Sequence, residues 1–150
     1  MPSLKASAIA PSNIAFSKYW GKSNEKLILP LNDNISMTLG GVNTHTTVDF
    51  SDKYKKNEVW IGATNQPMTL AKKSQFGRVA NHLNFLKKKV GVKHSFKAVS
   101  KNNFPMDAGI ASSASAFCAL TLAAIKALGL KAGKSNKPWL IKTLICSERQ

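Results

Sequence analysis

Apolar and polar positions divide the chain into strands first and helices later. Residues 6–19 alternate small and apolar side chains around Pro11, the pattern of an edge strand that runs into a loop. Leu27–Leu31 and Ile35–Leu39 read as two short strands, with Gly40-Gly41 after them as a turn. Thr44–Phe50 (T-H-T-T-V-D-F) is β-branched and alternating, and predicts the clearest strand. A polar turn over Asp52–Asn57 then predicts Glu58–Gly62 (E-V-W-I-G) as its hairpin partner.

The period changes at Leu70. Phe76, Val79, Ala80, Leu83 and Leu86 recur at three- and four-residue steps, while Lys72, Lys73, Lys87 and Lys88 fall off that stripe. This spacing predicts an amphipathic helix over Leu70–Val90. Gly91 ends it, and the lysines before that glycine suit the negative end of the helix dipole. His94–Ser100 predicts another strand, Asn102–Gly109 a loop, and Ala111–Leu128 a long helix stopped by Gly129. Lys137–Glu148 reads as the start of a third helix. Strands followed by helix, strand, loop and helix predict an α+β domain rather than a regular doubly wound sheet. The chain has 150 residues, 43% of them hydrophobic, which fits one domain over 1–150 with its own core.

Composition narrows the function classes. The longest apolar stretch, Ala108–Leu130, contains Ser112, Ser113, Ser115 and Lys126, so it reads as a buried alanine-rich helix rather than a membrane span. Residues 1–10 hold no sustained apolar run and make a poor secretory signal. Cys118 and Cys146 lack CxxC spacing and read as reduced core thiols. These features together predict a cytoplasmic protein. Lys and Arg total 22 against 7 Asp and Glu, a net charge of +15 that attracts polyanions, either nucleic acid or a small phosphorylated substrate. The lysines form only short local runs, and Arg78 and Arg149 are the only arginines. That scarcity of forked donors argues against base-reading nucleic-acid recognition and for a solvated surface. His45, His82 and His94 have no metal-ligand spacing, and structural or surface roles suit them.

Two strings carry candidate chemistry. In Asn103-Phe104-Pro105-Met106-Asp107-Ala108-Gly109-Ile110-Ala111-Ser112-Ser113-Ala114-Ser115, Gly109 lets backbone approach a ligand, and the small residues after it leave amide N–H groups unshielded. Ser112, Ser113 and Ser115 add hydroxyl donors at a helix start, where orphan amides and the dipole attract phosphate. The string is not a Walker A loop, since no Gly-Lys-Ser/Thr follows the glycine. A plain serine N-cap on a core helix fits the same residues. In Ala10-Pro11-Ser12-Asn13-Ile14-Ala15-Phe16-Ser17-Lys18-Tyr19-Trp20-Gly21-Lys22, two cations and a phenol lie within five residues, with Gly21 permitting a tight bend. That suits a diphosphate, although lysine–aromatic pairs are also common on ordinary surfaces.

The first string, P-x-x-A-G-I-A-S-S-A-S, is similar to the phosphate-binding motif of the GHMP kinases (galactokinase, homoserine kinase, mevalonate kinase and relatives). The resemblance implies that Gly109, Ala111, Ser112, Ser113 and Ser115 bind ATP phosphates, with Ser112 or Ser113 as a partner for Mg²⁺. Asp107 departs from the small or hydroxyl residue expected there. A carboxylate beside a triphosphate is repulsive unless a cation bridges them, so it turns outward or lies near Mg²⁺. The second string, with Leu29-Pro30-Leu31-Asn32-Asp33-Asn34-Ile35-Ser36-Met37-Thr38-Leu39 after it, resembles the signature of the diphosphomevalonate decarboxylases. Kinase relatives usually lack K-Y-W-G-K, which makes that string the discriminating one. The resemblance implies a ribosomal protein S5 domain 2-like N-terminal domain of the GHMP kinase fold. It also implies that Asn13 meets the substrate's carboxylate or reacting centre, while Lys18, Tyr19 and Lys22 hold its diphosphate. Family members commonly carry arginine after the second lysine; this chain has Ser23.

The family's reaction phosphorylates the substrate's tertiary C3 hydroxyl from ATP, then loses phosphate and carboxylate to give an isopentenyl product. Its catalytic aspartate and a G-S-G-S-A-C-R-S loop lie in the C-terminal half. None of Glu25, Asp33, Asp49, Asp52, Glu58, Asp107 and Glu148 matches that aspartate's context. The resemblance therefore implies about half of an enzyme, with ATP and Mg²⁺ as cofactors and a small phosphorylated substrate. The remainder comes from a missing C-terminal half or a second chain, unless the domain is repurposed for binding alone, and a homodimer stays open. Two other readings are a mevalonate-type kinase (or phosphomevalonate decarboxylase) and a non-catalytic basic RNA-binding module.

Overall fold

The computed structural model describes residues 4–17, 21–24, 29–31, 33, 35–64, 66–106 and 112–130. Among these residues, seven strands and two helices follow one another as β1 (Lys5–Ser17), β2 (Lys22–Asn24), β3 (Leu29–Pro30), β4 (Ile35–Ser51), β5 (Glu58–Ala63), β6 (Gln66–Leu70), α1 (Lys73–Val90), β7 (Ser95–Asn102) and α2 (Ser112–Ala127). Five strands form one sheet in the order β1-β4-β7-β5-β6, and β2 pairs with β3 in a small ribbon. All neighbours in the large sheet are antiparallel except β5 and β7. Both helices pack on one face of this sheet and share a core with it, so the architecture is the α+β arrangement that the element order predicts.

Alternation decides which side chains face the helices. Ala6, Ala8 and Ala10 of β1, Phe50, Val48, Thr46 and Thr44 of β4, and Phe96, Ala98, Ser100 and Asn102 of β7 lie in cross-strand rows on the inner face. On β4 and β7 these inner positions are apolar at one end and hydroxyl- or amide-bearing at the other. At the apolar end, Phe50 meets Phe96 edge-on with centroids 6.4 Å apart, beneath the fully buried Leu83 and Leu86 of α1. Burying such side chains stabilises by roughly 1.5–3 kcal/mol each. The stripe of α1 is the one its period predicts, and Gly91 closes the helix in a left-handed conformation at φ 76°.

Three local expectations are corrected. Glu58–Gly62 does not pair with Thr44–Phe50: β7 lies between them, antiparallel to β4 over eight residues and parallel to β5. The α1 crossover returns the chain so that Phe96 and Ala98 match Phe50 and Val48 at the apolar end, and Asn57 Oδ1 accepts the Phe96 N–H at 3.1 Å. Gly40-Gly41 is no turn. Ile35–Ser51 is one strand with a bulge there, since Pro11 faces Asn43 whereas Asn13 faces Thr38. Gly41 sits at φ 78°, which L side chains adopt only with strain. Finally, α1 starts at Lys73, because 66–70 form the edge strand β6, whose Leu70 pairs with Trp60. Pro67 suits an edge strand.

The sheet has two chemically different ends. Lys53, Lys55 and Lys56 of the β4–β5 turn lie at the start of β7, near the Lys87–Lys89 end of α1. Lys87 Nζ is there 5.9 Å above the Phe96 ring, and burial lowers its pKa. No described helix is long and apolar enough to cross a membrane. The expected third helix, Cys146 and most of Leu27–Leu31 with its flanks fall outside the described residues or are described through backbone alone.

Candidate functional site

The polar ends of the inner rows converge on the first turn of α2. Thr46 and Ser100 hydroxyls lie 2.9 Å apart across β4 and β7. One row further, Thr44 Oγ1 donates to Asn102 Oδ1 at 2.9 Å and sits 2.8 Å from Ser115 Oγ of α2. Ser115 is only 2% exposed, and the Ser112 carbonyl lies 3.1 Å from its hydroxyl. Ser112 and Ser113 are half-buried in the same turn. The described first turn of α2 carries no acidic residue, and Lys126 stands in the last turn. The helix dipole therefore presents its positive end where Ser112 and Ser113 line the cavity, an arrangement that attracts an anion.

Beside this turn is a cavity of about 170 Å³ between α1 and α2. Val59, Ala98 and Leu120 give it apolar walls, while Ser100, Asn102, Ser112 and Ser113 supply polar groups. Arg78 reaches over from α1 with its guanidinium 5.2 Å from the Phe117 ring, both lining the cavity. Behind Phe117, the half-buried His82 ring stacks edge-on at 5.7 Å, and its Nε2 lies 2.8 Å from Thr121 Oγ1. Thr121 already donates to the Phe117 carbonyl at 2.7 Å, so His82 Nε2 must be the donor. Burial lowers the His82 pKa to about 4 and keeps the ring neutral.

The second string meets the same end of the sheet. Ala10 pairs with Thr44, and Pro11 with Asn43. Asn103, first residue of the serine-bearing string, accepts the Asn43 N–H at 2.7 Å and donates from Nδ2 to the Gly41 carbonyl at 2.8 Å. Asn13 follows the bulge, half-buried opposite Thr38. Gly21 has φ 108°, the tight bend expected of it, and a Cβ there would come within 2.8 Å of Leu31 Cδ1. Lys22 is described through its backbone, which pairs with Pro30. Lys18, Tyr19, Asp107, Gly109 and Ala111 lie outside the described residues. The fold thus brings Asn13 and the Ser112–Ser115 turn to one end of one sheet.

Sequence reasoning missed Arg78 and the cavity residues Thr46, Ser100 and Asn102. A signal was present: inward positions on β4 and β7 change from Phe, Val and Ala to Thr, Ser and Asn toward the same end. Among the described residues no group of three His, Cys, Asp or Glu is placed to hold a metal ion. Magnesium is satisfied by phosphate oxygens, waters and one or two protein oxygens, and the Ser112 and Ser113 hydroxyls fit that lesser demand.

An α+β sheet with both helices on one face and a serine-bearing helix start beside a cavity defines a domain of the GHMP-kinase type. The chain belongs to the diphosphomevalonate decarboxylase-like N-terminal domain family, whose model matches residues 10–140. The diphosphomevalonate decarboxylase of Ganoderma lucidum is 37% identical over 130 residues, covering 77% of this chain and 31% of that protein. The solved mevalonate diphosphate decarboxylase of Enterococcus faecalis superposes with a TM-score of 0.78 at 35% identity, covering 97% of this chain and 44% of that one. A solved complex of MDDEF with MVAPP, AMPPCP and magnesium gives a TM-score of 0.77 at 35% identity, with 97% and 43% covered. The chain spans about a third of the length of the curated relatives it matches, for example 31% and 36%.

Proposed function

We propose that this chain is the ATP- and diphosphate-binding part of an enzyme that converts mevalonate diphosphate to isopentenyl diphosphate and CO₂, working in the cytoplasm. One observation carries the reading beyond family membership. The A-P-S-N segment of β1 and the serine-bearing start of α2 lie at the same end of one sheet, linked through Thr44. Asn13 meets the reacting end of the substrate, and Lys18, Tyr19 and Lys22 hold its diphosphate. Backbone amides of 109–113 and the hydroxyls of Ser112 and Ser113 take the ATP phosphates, one of those hydroxyls also facing Mg²⁺. The cavity of about 170 Å³ compares with one of about 150 Å³ that accepts a single aromatic ring. It is small for a whole nucleotide, so the base enters it and the triphosphate runs along the start of α2. When bound, ATP supplies the phosphoryl group that makes the C3 hydroxyl a leaving group. Residues 1–150 act as the GHMP N-terminal domain, and the catalytic aspartate comes from a C-terminal GHMP domain in a longer form of this polypeptide or in a second chain.

Calorimetry and product analysis test this directly. The chain alone binds Mg-ATP and mevalonate diphosphate but releases no CO₂, and adding the matching C-terminal portion of a relative restores ATP-dependent CO₂ release. Steady CO₂ release by the chain alone contradicts the division of labour. Ser23, exposed where the family commonly has arginine, favours a runner-up: an enzyme acting on a less phosphorylated mevalonate derivative, as a kinase or phosphomevalonate decarboxylase. ADP formation without CO₂ in the completed enzyme would support the kinase. A salt-dependent RNA shift indifferent to ATP would support a basic RNA-binding module instead.

A further inference from the structure

We propose that Thr44, Asn102 and Ser115 form a positioning latch that sets the first turn of α2, and that Ser115 serves the site through this latch rather than by touching phosphate. The inference rests on the ATP reading above. Thr44 is 0% exposed, Ser115 2% and Asn102 7%, so all three exchange hydrogen bonds away from water. A hydroxyl carries one proton. Thr44 gives its proton to Asn102 Oδ1, which makes Ser115 the donor in the 2.8 Å contact with Thr44. The other acceptor within reach of Ser115 is the Ser112 carbonyl at 3.1 Å. Either way the Ser115 proton stays inside the protein, and none remains for a phosphate oxygen. Ser112 and Ser113 differ: both are half-buried and line the cavity.

A second tie reinforces the first. The Asn103 N–H donates to the Asn43 carbonyl at 3.0 Å, and the Asn103 side chain closes onto Asn43 N–H and the Gly41 carbonyl. Asn43 faces Pro11 and Thr44 faces Ala10, the first two residues of the other ligand string. Both strings therefore hang from the same stretch of β4. Breaking one member leaves buried partners unsatisfied, which loosens the geometry of the turn.

The test measures Mg-ATP affinity, melting temperature and amide hydrogen exchange at 112–117 for wild type, Thr44→Val, Thr44→Ser, Ser115→Ala and the Thr44→Val/Ser115→Ala pair. Thr44→Val and Ser115→Ala should each weaken Mg-ATP about three- to tenfold and speed exchange at 112–117 while leaving 123–127 slow. Thr44→Ser, which keeps the hydroxyl, should rescue both. The pair should bind no more weakly than the worse single variant, because one latch is already open. Loss of affinity in Ser115→Ala but not in Thr44→Val would make Ser115 a direct ligand and overturn the latch. A lower melting temperature with unchanged affinity and unchanged local exchange would reduce it to ordinary packing and overturn it too. If Thr44→Val does not fold, Ser115→Ala and Thr44→Ser still decide. Wild-type chain that fails to bind Mg-ATP sinks the ATP reading, and the exchange data then judge the latch separately.

Discussion

The strand β4 belongs to two regions that treat the same alternation differently. Over 44–51 it lies between β1 and β7 under both helices, and Thr44, Thr46, Val48 and Phe50 are buried. Over 35–38 its described partner is β1 alone, and the alternating apolar residues are open: Ile35 is 66% exposed, Met37 49%, and Phe16 on β1 68%. Apolar alternation creates a face; only a covering layer turns that face into a core. A two-stranded ribbon is marginal by itself, so the described arm of 13–17 and 35–38 depends on its continuity with the sheet and on the Asn103 clamp at Gly41.

The largest effect that tests this contrast is a pair of truncations. Phe96→Ala should cost about 3–5 kcal/mol, enough to unfold a marginal domain, whereas Phe16→Ala should stay within about 0.5 kcal/mol. Urea titration followed by circular dichroism reads both, and similar losses would remove the distinction. Next comes acid. His82 has a folded pKa of about 4 against about 6.5 unfolded. The unfolded chain thus binds the proton first as pH falls. Stability should be flat above pH ~6.5 and decline from there to about pH 4, by on the order of 3 kcal/mol or less. Replacing His82 with Leu should abolish that component of the slope while the arm contributes nothing to it. The smallest effect belongs to the hinge between the regions. Nothing lies within 4 Å of a Cβ placed on Gly41, so Gly41→Ala should cost only the left-handed backbone strain of about 1–2 kcal/mol. Its signature should be faster amide exchange at 35–38, with 95–102 unchanged.

How much could be read beforehand follows the same division. Features set by local spacing were legible: the stripe of α1, the glycine that caps it, β1 as an edge strand around Pro11, and the helix after the serine string. Pairings set by distant partners were not. Nothing within Thr44–Phe50 or Glu58–Gly62 announces that β7 will come between them, because that choice depends on an 18-residue helix bringing Phe96 opposite Phe50. β6 was hidden by its length and by Pro67. The serine string announced a helix start, but only the fold shows that Ser115 turns inward while Ser112 and Ser113 face the cavity. The polar grade on the inner rows of β4 and β7 was readable once their faces were known.

Amide chemical-shift mapping of the labelled chain, titrated with Mg-ATP and then with mevalonate diphosphate, tests most directly whether both strings serve one end of the sheet, away from the lysine-rich end. Mg-ATP should shift residues 100–106 and 112–117, and mevalonate diphosphate should shift 11–14 and 21–24. Shifts confined to 53–56 and 87–93, and erased by moderate salt, would contradict the account.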